Sequence, residues 1–306
     1  MDNQTIVSYF LLLEFSKDRH LQLLHFILFF ILYLAITTAN LIIISAIAFD
    51  HRLHSPMYLF LVNLAVQDVG IVSAIVPKSM INSLMNTRYI SYFDCFAQVL
   101  IFNYFEASDF FLLTVMAYDR YVAICQPLHY ELVMNWKASI KMMILVWVTS
   151  FLYGMWHTIG TFYIPFCSNV VNQFFCEIPH LLKLSCFGFN LVEVGFLVVS
   201  IITLGLGCFI FIIVSYTMIF KAVLKIPSVK GRQKTFSTCL PHLTVFSMFW
   251  VTVCLAYLKP PSTTQSYLDF IQTALYCLLP PLFNPIIYSI RNKNIKSAVS
   301  KLWTFL

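Results

Sequence analysis

The sequence predicts an all-α membrane protein: a bundle of seven transmembrane helices with the N-terminus outside and a short amphipathic helix on the inner membrane surface after the last span. Three observations carry this. The 306 residues are 60% hydrophobic and 10% charged, with a mean hydropathy of +0.82, against about 45–50% apolar and about 25% charged in soluble domains. The apolar residues run continuously for about 20 positions at a time, the length of a membrane-crossing helix, where barrel strands would alternate over about ten. The basic residues divide unevenly between alternate connections, as the positive-inside rule requires.

In chain order the spans fall at 23–49, 57–83, 95–122, 138–162, 191–224, 236–258 and 268–290, one bundle over 23–290 between a tail of 1–22 and a tail of 291–306. An odd number of spans puts the termini on opposite sides. Arg52, Arg120, Lys137, Lys141, Lys221, Lys225, Lys230, Arg232, Lys234, Arg291, Lys293, Lys296 and Lys301 share the face of the C-terminus, and only Lys17, Arg19, Lys78, Arg88, Lys183 and Lys259 the other. The C-terminus is therefore cytoplasmic. The net charge of +6 then reflects topology and contact with anionic membrane lipid, and calls for no nucleic-acid partner.

The N-terminal tail holds Asp2, Glu14, Lys17, Asp18 and Arg19 and shows no signal-peptide pattern, so the first span is expected to act as an uncleaved anchor. Asn3-Gln4-Thr5 is an N-glycosylation acceptor pattern on the outer side. Beyond Tyr288, Lys293, Lys296 and Lys301 interleave with Ile295, Val299, Leu302, Trp303 and Phe305, an amphipathic segment too short to span.

Of nine cysteines, Cys95, Cys167, Cys176 and Cys186 fall on the oxidising outer side. Four cysteines allow three pairings, and spacing does not choose among them.

Ionisable groups inside the membrane mark functional positions. Asp68, Glu106 and Asp109 lie in the middle of apolar spans. At about 1.5 Å per residue, Asp109 is about 16 Å from Arg120 and Asp68 about 17 Å from Met57, so the two carboxyls share one depth. With no Lys or Arg at that level, the expected compensation is a shared proton, a bound Na⁺, or hydrogen bonds from Asn40 and Asn284. One turn further out, Glu106 lies on a stripe with Phe102, Asn103 and Phe110, beside Ala107, and stripes of Ser200, Thr203, Leu204 and Gly207 on the fifth span and Trp250, Val253, Cys254 and Tyr257 on the sixth face it across a cavity. Such a cavity, apolar with few polar anchors, suits a small, mostly apolar ligand. Glu106 is read here as a neutral carboxyl that accepts alcohols, ketones or esters. Pro241 is expected to open the sixth helix, and Pro280, Pro281 and Pro285 to interrupt the seventh.

The inner end of the third span reads Met116-Ala117-Tyr118-Asp119-Arg120-Tyr121-Val122-Ala123-Ile124-Cys125, followed by Pro127-Leu128-His129-Tyr130. Leu53-His54-Ser55-Pro56-Met57-Tyr58 precedes the second span, Ser215-Tyr216 ends the fifth, Thr235-Phe236-Ser237-Thr238-Cys239 with His242 opens the sixth, and Pro281-Leu282-Phe283-Asn284-Pro285-Ile286-Ile287-Tyr288 lies in the seventh. Five ordered motifs on five spans make the chain resemble the odorant receptors, a branch of the rhodopsin-like G-protein-coupled receptors, over essentially its whole length. The resemblance implies that Cys95 pairs with Cys176 and Cys167 with Cys186. It also implies an inner switch of Asp119, Arg120, Tyr121, Tyr216, His242 and Tyr288. The function it implies is plasma-membrane detection of a volatile odorant, passed to a heterotrimeric stimulatory G protein and so to cyclic AMP, with no cofactor and no enzymatic reaction. Ala39, Ala65 and Met218 depart from the family's usual Gly, Ser and Arg, while Trp250 and Asp109 stand where Tyr and Glu are common.

Two rival functions compete with this one. A secondary transporter would show paired halves with matching broken helices, and the chain has none. A rhodopsin-like receptor for an endogenous metabolite outside olfactory tissue would share every motif.

Overall fold

The computed structural model describes residues 7–13, 16–186, 195, 199–257 and 267–305, without the side chains of 201–203, 255–257, 267–269, 290–291 and 303–305. Asn3 and the side chains of Thr203 and Tyr257 thus lie outside the described residues.

Among the described residues, seven helices are long and apolar enough to cross a membrane. They are α1 (Arg19–Phe49), α2 (Pro56–Met85), α3 (Tyr92–Cys125), α4 (Trp136–Phe162), α5 (Gly207–Leu224, continuing a π-helical turn at Ile201–Leu206), α6 (Val229–Tyr257) and α7 (Tyr267–Arg291). The surface helix α8 (Lys293–Phe305) follows.

Local chemistry sets the helix ends. Asp18, Ser91 and Asn135 accept the His20, Asp94 and Ala138 amides at the starts of α1, α3 and α4 at 2.8, 3.0 and 2.9 Å. Pro56 supplies the first turn of α2. Asn86 ends that helix in the left-handed region at φ 51°, and the Arg19 guanidinium donates to the exposed carbonyls of Ser83 and Leu84 at 2.9 and 2.7 Å. A cation thus sits at the negative end of α2 and joins it to the start of α1.

Two expectations about boundaries need correction. α6 begins at Val229, about two turns before 236, because the polar stretch Lys230 to Thr235 continues the helix into the cytoplasm; hydrophobicity marks only its membrane-embedded part. Pro241 therefore lies within α6, and Pro280, Pro281 and Pro285 lie within an unbroken α7.

The outer tail is ordered although its residues carry no strand signature. β1 (Tyr9–Leu11) pairs antiparallel with β2 (Tyr89–Ser91), and the Leu11 and Leu13 amides donate to Asn169 and Gln173 carbonyls of the loop after α4 at 2.7 and 2.8 Å. The tail is the middle strand of an outer lid. Phe10, fully buried, packs against Tyr92, Phe162 and Phe166. The lid is bonded covalently, Cys95 to Cys176 and Cys167 to Cys186, in the pairing the resemblance implies. Gln98 strengthens the join: its Oε1 accepts the Cys176 amide at 2.8 Å and its Nε2 donates to the Ala74 carbonyl of α2 at 2.9 Å.

Cys95→Ser is expected to cost about 2–5 kcal/mol and to remove most surface expression. Peptide mapping without reduction should recover both linkages. A free Cys95 thiol in the wild-type chain would contradict the covalent lid.

Candidate functional site

The midplane carboxyls come from α2 and α3. Asp68 is fully buried and accepts two hydrogen bonds from Asn284 Nδ2 of α7, at 3.0 and 3.1 Å. Asp109 is 3% exposed, and its Oδ1 has no hydrogen-bond partner among the described residues. Two more buried acceptors, Gln67 Oε1 and Asn284 Oδ1, are likewise unmet. Gln67 and Ser108, the neighbours of Asp68 and Asp109, hydrogen-bond to each other and hold α2 against α3.

Asn40 does not join this group. Its Nδ2 donates to the Ile36 carbonyl and, across the bundle, to the Pro281 carbonyl, both at 3.0 Å. The reason is Pro285: lacking an N–H, it leaves the carbonyl four residues earlier without a helical partner, and Asn40 supplies one.

The outer candidate residues separate on inspection. Phe102 is buried in an aromatic cluster with Phe175 of the lid and Tyr276 of α7, at ring distances of 5.2 and 6.3 Å. Asn103 bonds its own helix at the Val99 carbonyl, 2.7 Å away. Glu106 and Ala107 are half-buried, and no hydrogen bond to Glu106 is found among the described residues. Ser200 meets His157 Nε2 of α4 at 3.0 Å. Leu204 is 42% exposed, so the helical stripe that predicted it inside has rotated outward through the π-helical turn. Trp250 stacks on Phe209 of α5 at 4.4 Å and on Phe110 of α3 at 6.3 Å, with half-buried Val253 and Cys254 one turn nearer the outside.

Sequence reasoning missed the lid's polar contribution. Glu177, 5% exposed, accepts the Tyr276 hydroxyl of α7 at 2.5 Å and lies 3.3 Å from His180 Nδ1. Its position next to Cys176 was the available signal, since a staple to α3 brings the following residue to the mouth of the bundle.

At the inner end, Asp119 and Arg120 form an ion pair, and Tyr130 donates to Asp119 Oδ1 at 2.8 Å. Burial, then the Asp119 carboxylate, push the Tyr130 hydroxyl above the usual phenol range and keep it a donor. Tyr121 lies on the rim, where Gln126 reaches its hydroxyl at 3.4 Å. His242 Nε2 is 2.9 Å from the Leu113 carbonyl and Nδ1 is 2.8 Å from the Tyr216 hydroxyl. A carbonyl only accepts, so Nε2 carries the proton and Tyr216 donates to Nδ1. One imidazole thus clamps α6 to α3 and α5. Tyr288 is buried, and its hydroxyl has no hydrogen-bond partner among the described residues. Arg120, Asp119, His242 and Tyr288 line a cavity of about 640 Å³ that also meets Lys230, Lys234 and Lys293. Tyr216 packs beside it through His242 and joins neither Arg120 nor Tyr288 by a hydrogen bond among the described residues.

Tyr216→Phe leaves a buried nitrogen without its donor, an expected cost of about 1–3 kcal/mol. His242→Phe should cost more, since it also removes the bond to the Leu113 carbonyl, and the double variant little more than His242→Phe alone, because both break the Tyr216 bridge. Thermal midpoints of the three variants check this; additive losses would show that the bridge contributes nothing.

The sequence matches the family profile described as "Olfactory receptor" over residues 29–304. It is 45% identical over 303 residues to Olfactory receptor 14A2 of Homo sapiens, covering 99% of this chain and 96% of that one. It is 47% identical over 306 residues to Olfactory receptor 14I1 of Homo sapiens, covering 99% and 97%. The fold superposes on squid rhodopsin with a TM-score of 0.65 at 18% identity, over 95% of this chain and 87% of that one. Seven membrane helices, the motifs at their inner ends and relatives matching along the whole length lead to one conclusion: the chain belongs to the olfactory receptor family, a multi-pass plasma-membrane receptor for odorants and not an enzyme.

Proposed function

We propose that this receptor binds a small, mostly apolar volatile molecule in the outer half of the bundle and, when occupied, opens its inner crevice to a stimulatory G protein, raising cyclic AMP. The observation that carries the reading is the 640 Å³ cavity around Arg120, bordered by the Asp119 pair and by the His242 clamp. Outward movement of α6 breaks the clamp and enlarges that cavity, and a ligand favours it by preferring the open bundle.

The ligand site in this reading is formed by Glu106 and Ala107 on α3, Ser200 and Thr203 before α5, and Val253, Cys254 and Tyr257 on α6. Phe102 acts as its wall through Phe175, and Asn103 supports it from within α3. Burial contributes about 25 cal/mol per Å², so a molecule offering on the order of 200 Å² gains about 5 kcal/mol before the costs of association. Micromolar or weaker sensitivity follows.

Asp68, Asp109 and Asn284 are proposed to hold Na⁺ or a shared proton in the resting bundle, since the unmet oxygens are acceptors suited to a hard cation. We also propose that the outer Asn3 carries a glycan.

A cyclic AMP screen of amines, acids, alcohols, ketones and esters against the receptor and Glu106→Gln tests the ligand assignment. Alcohols, ketones or esters should remain active in the variant, and Val253→Ala should shift their half-maximal concentrations by up to about tenfold. A potent amine response lost in Glu106→Gln would overturn the neutral carboxyl. Raising Na⁺ should lower basal signalling in the receptor and leave Asp68→Asn unchanged; indifference in both would remove the cation from the scheme.

A further inference from the structure

A second cavity of about 610 Å³ lies outside the crevice, between the inner end of α1 and α8. Its apolar wall includes Phe49, Ala298 and Leu302, and its polar rim includes Asp50, Arg52 and Lys301. α1 has 31 residues, about 46 Å of helix against about 30 Å of hydrocarbon, so Phe49 at its last position stands at the level of the inner headgroups. α8 buries Ile295 and Ala298 against the bundle and leaves Lys296 and Lys301 exposed, which keeps the helix flat along that surface.

The rim is organised by Asp50. Arg52 donates to it twice through its side chain, at 3.0 and 2.7 Å, and Lys301 Nζ stands 3.7 Å from the same carboxylate. The guanidinium beside it holds the Asp50 carboxyl well below the usual carboxylate range, so this anchor persists at every physiological pH. Asp50 is the single acid among the residues lining the cavity. The Arg52 and Lys301 side chains keep 67% and 52% of their exposure. Two positioned, accessible cations therefore border an apolar slot whose outermost wall, Phe49, is 77% exposed.

We propose that this slot is a binding site for one inner-leaflet phospholipid with an anionic headgroup, the phosphate and its neighbouring anion meeting Arg52 and Lys301 and an acyl chain lying against Phe49 and Leu302. A soluble anion would use the rim and leave the slot exposed; a neutral lipid or a sterol would use the slot without answering the excess positive charge of a rim where two cations share the one Asp50 carboxylate. The anionic lipid satisfies both halves and fastens α8 to α1, beside the crevice that α6 opens.

The test uses the full receptor in nanodiscs of phosphatidylcholine containing a minor fraction of phosphatidylserine, with lipids retained on extraction counted by native mass spectrometry. One phosphatidylserine should be retained in preference to phosphatidylcholine. Arg52→Glu and Lys301→Glu should each weaken retention by about fivefold or more, the equivalent of about 1 kcal/mol per neutralised contact. Lys296→Glu, which changes the same charge on the same helix outside the cavity, should change it less than twofold. Phe49→Ser removes the wall at an exposed position and should lower retention with no shift in thermal midpoint. An equal loss in Lys296→Glu would reduce the effect to diffuse surface attraction. Equal retention of phosphatidylcholine or of a sterol, or retention unchanged in Arg52→Glu and Phe49→Ser, would overturn the site.

Discussion

A polar group placed in hydrocarbon has no water to fall back on, so each one must find its partner inside the protein. That requirement decides how these helices hold together. Leu-rich faces attract one another no more than they attract lipid tails, whereas a side chain bonded to a neighbouring helix fixes a single arrangement. Pro285 exposes the Pro281 carbonyl, and Asn40 captures it and pins α1 to α7. Gln98 joins α2, α3 and the lid, and His242 joins α6 to α3 and α5. Each join is made by a short polar side chain from inside an apolar helix, which keeps the connections few and specific.

The same requirement locates where the bundle is least settled. Among the described residues, the unmet buried amide and carboxyl oxygens of α2, α3 and α7 collect around Asp68, at Asp109, Gln67 and Asn284, and the Tyr288 hydroxyl is unmet further along α7. The outer half contrasts with this, being stapled by two disulfides and by aromatic pairs such as Phe174 with Phe175 at 5.0 Å. Rigid packing at the lid and incomplete satisfaction at the midplane divide the molecule into a fixed frame and a region with more than one arrangement within reach.

The sequence made the large features legible because they rest on composition. Length of apolar run gave seven spans, and the placement of Lys and Arg gave their direction. Partner identity was less accessible. Asp68 and Asn284 were correctly brought together, since both are midplane polar residues, but Asn40 had an equal claim by depth and is engaged elsewhere, for a reason that lies in the backbone at Pro285. Leu204 followed from a 3.6-residue period that a π-helical turn does not keep. Glu177 was hidden because a loop residue has no periodicity to betray its burial. The early start of α6 was hidden for the opposite reason: Lys230 to Thr235 are polar, and a helix in water needs no apolar signature to continue.

These energies bear on how a weak ligand controls so large a structure. Moving a two-state equilibrium from 1:99 to 99:1 takes about 5.5 kcal/mol of differential affinity, which is as much as a small volatile molecule offers from burial before any cost is subtracted. In the proposed mechanism the resting bundle is therefore favoured by only a small margin. Its fastenings at the inner end fit that limit. The Tyr216 to His242 bond is a single neutral hydrogen bond with a net worth of about 1 kcal/mol, and the Asp119 to Arg120 pair joins neighbours on one helix, so breaking it separates no packed surface. The costly interactions, the disulfides and the buried aromatic contacts, stand at the other end, where opening the crevice leaves them intact. On the proposed reading of a weakly bound apolar ligand, the parts that move are held by a neutral hydrogen bond and a same-helix ion pair, and α3 spans the contrast, with a disulfide at Cys95 under the lid and the Arg120 pair at the crevice.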